Sequence, residues 1–290
     1  MIDVHAHINL ENFPLSNTTM INDGTKTKKS FSDLLATAKS ANVNRIVSVS
    51  ENIHDVHHIL EIAEQSHGLI KPGVGLHPVQ RLDANDSQER SVTLKDLDQF
   101  EPILKENITK KTLCCVGERQ SLLFSIIKTV GLDFSRHIVT TNTNNEGISE
   151  EDLRNVQRQV FRRQVELAIE ADLPVNVHSR SAGHHALEIL YDCKAKRVIM
   201  HAFDGRPAHA KKAVEIGYYF SIPPSVIRSP HFQKLVTVIP LSNLLLESDS
   251  PALGPEKGVD NEPANITVSA QEIARIKNIS IEEVVCISNN

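Results

Sequence analysis

The sequence predicts an α/β fold in which parallel strands close into a (β/α)8 TIM barrel. Eight short β-branched runs recur along the chain with helical patterns between them, the signature of parallel βα units. The 290 residues suit one barrel of about 250 residues with extra loops. Histidines and carboxylates fall at the ends of several runs, and barrels of this kind assemble their sites at the C-terminal ends of the strands.

The first run covers residues 2–5 and is followed by a helical pattern over 31–41. The second and third, 45–49 and 70–76, enclose a helix predicted over 54–65. A third helix, 94–105, precedes the fourth run at 113–117. The helix over 153–171 places Leu153, Val156, Val160 and Leu167 on one face and leads into the fifth run, 174–178. Runs at 198–201, 218–222 and 244–247 complete the eight. Two amphipathic stretches close the chain between 269 and 287, each opened by a capping-box signal: Ser269 before Glu272, and Ser280 before Glu283. Two segments interrupt the alternation. Residues 14–29, rich in Ser, Thr, Asn and Lys, read as a surface loop, and residues 119–129 are mostly apolar. The chain, 1–290, thus reads as a single barrel domain with insertions at 14–29 and 119–129.

A hydrophobic fraction of 40% and a charged fraction of 23% are ordinary for a chain that buries a full core. The formal charge of −5 excludes a broad basic surface, so a nucleic-acid ligand would be gripped by metals and a few local arginines. No signal-peptide pattern precedes the first run, and no apolar stretch approaches the roughly 18 residues that span a bilayer. Cys114, Cys115, Cys193 and Cys286 read as buried, reduced thiols, and a cytoplasmic or nuclear location is expected. No phosphate-binding glycine motif and no Gly-x-Ser-x-Gly elbow is present, so nucleotide-driven and serine-hydrolase chemistry are unsupported.

His5 and His7 flank Ala6, and strand alternation points both imidazoles the same way, into the barrel. Alone, such a pair reads equally well as two incidental histidines; its place after an Ile-Asp-Val strand favours metal ligands. His178 and His201 each end an apolar run, and two in succession favour ligands over core histidines. Asp249 follows three leucines, where a carboxylate is costly to bury unless paired or metal-bound. Glu247, on the same face, reads better as a structural ion pair. Glu118 is the matching carboxylate after the fourth run and can bridge two ions, which a neutral imidazole cannot. His77 ends the third run, where it either reaches substrate or packs against the loop. His54, His57, His58, His184 and His185 read as solvated helix faces.

These residues carry a resemblance to the TatD family of metal-dependent deoxyribonucleases, which is related to the wider amidohydrolase barrels. Its carriers span nearly the whole chain: His5-Ala6-His7, Gly75-Leu76-His77-Pro78, Gly117-Glu118, Val130-Gly131-Leu132-Asp133, Gln157 with Phe161 and Gln164, His178-Ser179-Arg180, His201-Ala202-Phe203 and Glu247-Ser248-Asp249-Ser250-Pro251. Residues 180–183, 203–207, 221–225 and 251–257 resemble the subgroup called TatD DNase domain-containing protein 3. The resemblance implies a metal-dependent hydrolase barrel of amidohydrolase-like type with two divalent ions. One would be held by His5, His7, Glu118 and Asp249, the other by Glu118, His178 and His201. Zinc or manganese suits the imidazoles, and the carboxylates also tolerate magnesium. It further implies a hydroxide attacking phosphorus, Asp249 as proton acceptor, and Arg180 and Arg206 as phosphate contacts. DNA is the implied substrate, as single strands or 3′ ends, with no membrane partner.

One departure matters. In the family the Gly-Glu of the fourth strand runs directly into the Val-Gly-Leu-Asp motif, whereas here residues 119–129 lie between Glu118 and Val130. Two other readings follow: an amidohydrolase acting on a cyclic amide or ester, or a binding protein catalytically weakened by the insertion.

Overall fold

The computed structural model describes residues 1–8, 13, 29–81, 88–110, 127–140 and 148–288, with the backbone alone at 127–129. Parallel strands β1 (Ile2–Ala6), β2 (Arg45–Val49) and β3 (Ile70–Gly73) pair in that order. The second parallel group is β6 (Ile127–Gly131), β7 (Val175–His178), β8 (Val198–Met200), β9 (Tyr219–Ile222) and β10 (Leu244–Leu246). β3 lies beside β6 and β10 beside β1. Beyond the last strand, Asp249 N–H donates to the His5 carbonyl (2.9 Å) and His7 N–H to the Ser250 carbonyl (2.8 Å). The result is the expected (β/α)8 barrel, whose strands read as near-continuous Ile, Val and Leu runs because both faces are covered.

The outer helices are α1 (Phe31–Ser40), α2 (Asp55–Gln65), α3 (Leu94–Lys110), α4 (Arg136–Thr140), α5 (Glu150–Glu170), α6 (Gly183–Asp192), α7 (Pro207–Glu215), α8 (Pro230–Val238), α9 (Ile266–Lys277) and α10 (Ile281–Ser288). Helix α5 does most to position strand ends. Ser149 and Asp152 close its first turn as a capping box. Leu153, Val160 and Leu167 are buried along it, and Val156 packs partly buried. Two fully buried glutamines reach from it to the barrel. Gln157 accepts from Asp133 N–H (2.8 Å) and donates to the Asp133 carbonyl (2.9 Å). Gln164 does the same at Leu76, at 2.8 and 3.1 Å. Each amide satisfies both backbone groups of a residue that has left its strand, a requirement wherever such groups are buried.

Four expectations need correction. The fourth run, 113–117, lies outside the described residues, as does Glu118; the strand that pairs with β7 is instead Ile127–Gly131, in register Ile127↔Val175, Val130↔Val177 and Gly131↔His178. Residues 127–129 therefore belong to a barrel strand rather than to an intruding loop; 119–126 lie outside the described residues, as do 14–28. Ser269 does not cap a helix: α9 begins earlier, at Ile266, because the turn Pro263–Asn265 feeds it directly, and Ser269 is buried within it. Ser280 and Glu283 do form the reciprocal box, at 3.1 and 2.9 Å. Of the thiols, Cys114 and Cys115 lie outside the described residues, Cys193 is half-buried and Cys286 is exposed. Cys286 faces water because α10 buries Val284 and Ser288 instead, one turn apart. The antiparallel pair β4 (Val79–Arg81) and β5 (Glu89–Ser91) was not anticipated. No helix among the described residues is long and apolar enough to cross a membrane.

An ion-pair clamp joins α3 to α5. Arg163 bonds Glu101 through two nitrogens, at 2.6 and 3.0 Å, and Lys105 adds a contact of 2.6 Å. The Arg163 guanidinium, with Lys105 second among the attractive partners, holds the Glu101 carboxyl down at about 2. A depressed carboxylate stabilises the fold above its unfolded value of about 4.3 and loses that contribution as pH falls. Glu101→Gln is therefore expected to lower Tm at pH 7, with the gap to wild type closing as pH falls from about 4 toward 2. A gap independent of pH in paired thermal melts would show that the clamp's charge is irrelevant.

Candidate metal centre

His5, near the end of β1, is oriented by its neighbour on β7. Its Nδ1 lies 3.0 Å from Asn176 Oδ1, and Asn176 Nδ2 donates to the Val4 carbonyl (3.3 Å). The second bond fixes which end of the amide faces the imidazole, so Nδ1 is the donor and Nε2 carries the lone pair. His201, just past β8, is held likewise: its Nδ1 lies 2.7 Å from Glu247 Oε2. Glu247 is fully buried and also accepts from Ala202 N–H (3.0 Å) and the Ser221 hydroxyl. Both carboxylate oxygens thus have protein partners, His201 among them as the ion-pair reading expects, and Glu247 also forms a compact donor group with His5 and His201. His7 completes the group, with Nδ1 3.2 Å from Glu51 Oε1.

All three Nε2 atoms turn toward Asp249, which follows β10 at a left-handed φ of 55°. Asp249 Oδ1 lies 3.6 Å from His5 Nε2, 3.4 Å from His7 Nε2 and 3.5 Å from His201 Nε2. The two Nε2 atoms of His5 and His7 are 3.2 Å apart. Donors about 2.1 Å from one tetrahedral ion lie about 3.4 Å apart, and His5, His7 and Asp249 have that spacing, with His201 beside the same Asp249 oxygen. Asp3 ties the two strand ends together beneath the site: its Oδ1 accepts from His5 N–H (3.1 Å) and Ser248 N–H (2.9 Å). Burial pushes the Asp3 carboxyl up to about 7.

The electrostatics suit a cation. Burial alone would push His7 down, but Glu51 and Asp249 outweigh it and hold the group at about 9. Burial pulls His201 down too and is overcome by Glu247 and Asp249. Burial would raise Asp249, yet His201 and His7 hold its carboxyl below the usual range. In the metal-free protein, carboxylates and imidazoles draw protons into the place that an ion would take.

His178 stands apart from these four. Its Nε2 lies 3.1 Å from Asp133 Oδ2, and its ring is 6.1 Å from that of His201, whereas His5 and His201 stack at 3.6 Å. Asp133 is fixed in turn by Ser135 N–H (2.9 Å). His77 packs edge-on against His178 at 4.5 Å and accepts Val79 N–H (3.1 Å), which joins it to the loop and to the site wall at once. A cavity of about 150 Å³ opens beside Asp249, lined among others by His178, Ser179, Arg180, His201 and Phe232. Arg180 is exposed at its rim, and Arg206 is exposed where α7 begins. His54, His57, His58 and His184 are exposed, as expected, whereas His185 is half-buried. Asn176, Glu51, Asp3 and Asp133 were missed as site-building residues. Glu51 follows the Val49-Ser50 end of a run, the same signal that marked Asp249; Asn176 carries no such signal.

The chain matches the family described as TatD related DNase over residues 2–290. It is 44% identical to a human protein named deoxyribonuclease TATDN3, over 98% of this chain and 90% of that one. It is 26% identical to YabD of Bacillus subtilis, named an uncharacterized metal-dependent hydrolase, over 99% of this chain and 95% of that one. Its fold is similar to the crystal structure of YJJV, a TatD homolog of Escherichia coli K12, with a TM-score of 0.72 and 21% identity, covering 100% of this chain and 95% of that one.

Proposed function

The chain belongs to the TatD-related DNase family of metal-dependent ester hydrolases, and on that premise we propose that it hydrolyses the phosphodiester bonds of DNA at His5, His7, His201 and Asp249. The observation that carries this reading is the convergence of three imidazole Nε2 atoms on one buried carboxylate oxygen beside an open cavity. A bound divalent ion supplies Lewis-acid polarisation of a phosphate oxygen and a water acidic enough to attack near neutral pH. Zinc or manganese suits a set with three imidazoles.

The protein's own residues do the rest. Asp249, kept ionised by His201 and His7, orients the attacking water and takes its proton. Asn176 and Glu247 hold two imidazoles in the tautomer that presents Nε2. Arg180 at the cavity rim offers a guanidinium to a phosphate, and Arg206 extends that contact along the strand. Phe232 and Leu253 give the cavity an apolar side on which a sugar or base can rest. Its small volume suits the end of a single strand better than a duplex. The two-ion form of this chemistry would use Glu118, His178 and His201 for its second ion. The relatives' names and the arginine at the rim favour DNA over a cyclic amide or ester.

Exhaustive chelation is expected to abolish hydrolysis of a labelled single-stranded oligonucleotide, and zinc or manganese to restore it. Undiminished cleavage in the chelated protein would overturn the metal-dependent reading.

A further inference from the structure

We propose that a cavity at the N-terminal ends of β8 and β9, opposite the metal centre, binds a free nucleoside monophosphate. None of its residues belongs to the metal centre, so the site stands whether or not the chain cleaves DNA.

The cavity, of about 530 Å³, opens between the C-terminal ends of α6 and α7, where Tyr191, Ile216, Tyr218 and three lysines line it. Small-molecule sites occupy about 300–1,000 Å³. One wall is aromatic and fixed. Tyr218 is buried, its hydroxyl donates to the Ala195 carbonyl (2.9 Å), and its ring centre lies 6.0 Å from that of Tyr191. Tyr191 is 38% exposed and Ile216 54%, the latter the most exposed large apolar side chain among the described residues. Apolar groups left open in a concave wall suit a flat ring, and a base of any identity stacks on tyrosine. The chain has three tyrosines and no tryptophan, and the third tyrosine, Tyr219, directly follows Tyr218.

The rest of the lining is cationic. Lys194, Lys196 and Lys212 face the cavity with one carboxylate, Glu215. Among the described residues none of these ammonium groups has an ion-pair partner, whereas the flanking Arg162 and Arg197 are paired with Asp192 (3.0 Å) and Asp172 (2.6 Å). Lysines commonly offset helix C-termini, and α6 and α7 both end here. Each helix end carries roughly half a negative charge, so the two ends and Glu215 offset about two of the three ammoniums. About one positive charge is left over, in a chain of net charge −5. That excess suits one phosphate rather than a polyphosphate, and lysine holds a phosphate as a point charge. An aromatic ring joined to a single phosphate matches both halves of the cavity.

The test is a calorimetric titration of the full chain with adenosine 5′-monophosphate, in excess chelator so that the metal centre does not contribute. Saturable binding at a single site is expected, with Kd on the order of 0.1 mM. Tyrosine emission should change with it, since in this chain it comes from Tyr191, Tyr218 and Tyr219 alone. Adenosine and inorganic phosphate each match half of the cavity and should bind at least about tenfold more weakly. Tyr191→Ala, and Lys196→Glu combined with Lys212→Glu, should each weaken the nucleotide by at least about tenfold. All three positions are exposed, so both variants should keep the wild-type Tm and, with metal restored, the wild-type cleavage of a labelled oligonucleotide. No saturable binding, binding that both variants retain, or binding that requires added zinc would overturn the proposal. So would a 5′-phosphorylated oligonucleotide that binds the cavity more tightly than the mononucleotide, or self-association of the chain that the same variants abolish. A protein that binds the nucleotide and cleaves no DNA would sink the nuclease reading alone.

Discussion

Asp249→Asn is expected to lower kcat on single-stranded DNA by about 10³-fold, within the range ascribed to a positioned general base, with KM changed only a few fold. Asparagine keeps the shape of the side chain but loses the charge and the proton acceptor. It also meets three Nε2 atoms at 3.4–3.6 Å with a neutral amide. Cation affinity should fall as well, so rates are compared at saturating metal. If the variant kept normal turnover and lost affinity for DNA alone, Asp249 would be a substrate contact and the proposed proton transfer would fail.

That Asp249 could be picked out at all reflects where barrels put their chemistry. A carboxylate directly after Leu-Leu-Leu has no cheap place to go, and histidines at two strand ends sharpen the same signal. Most strands were legible for a related reason: buried parallel strands are apolar on both faces, so Arg45–Val49 and Leu244–Leu246 stand out as local patterns. What a local pattern does not encode is convergence across the barrel. The pairing of His178 with Asp133 joins residues 45 apart in sequence, and that of Asn176 with His5 joins residues 171 apart. The helix caps make the contrast clear. Ser280 and Glu283 obey the local rule because that turn is exposed; Ser269 does not, because tertiary packing of Ile266 starts the helix one turn earlier. The fourth strand was harder to read. Two apolar runs, 113–117 and 127–131, suit a buried strand by composition; pairing places 127–131 against β7, where Gly131 lies close to His178, and 113–117 lies outside the described residues.

That glycine carries the second large effect. Gly131→Ala is expected to destabilise the fold by at least about 4 kcal/mol, a size reached only through a specific steric or backbone fault, and to lower Tm by about 10 °C. A Cβ at this position would lie 1.9 Å from the His178 carbonyl oxygen and 2.8 Å from its carbon, both rigid backbone atoms. The φ of 147° adds strain for any residue with a side chain. Relief requires β6 to move off β7, which breaks the bond from Leu132 N–H to the His178 carbonyl (3.0 Å) and strains the next, from Phe134 N–H to the Arg180 carbonyl (3.0 Å). Asp133 lies between those two bonds and holds His178, so the damage passes into the site wall. Gly217→Ala is the control: its φ of 90° is also unfavourable, but nothing lies within 4 Å of the added carbon, and a loss of about 1 kcal/mol is expected. Paired melts of the two variants decide the matter. Should Gly131→Ala melt no lower than Gly217→Ala, Ile127–Gly131 is not the strand packed against β7.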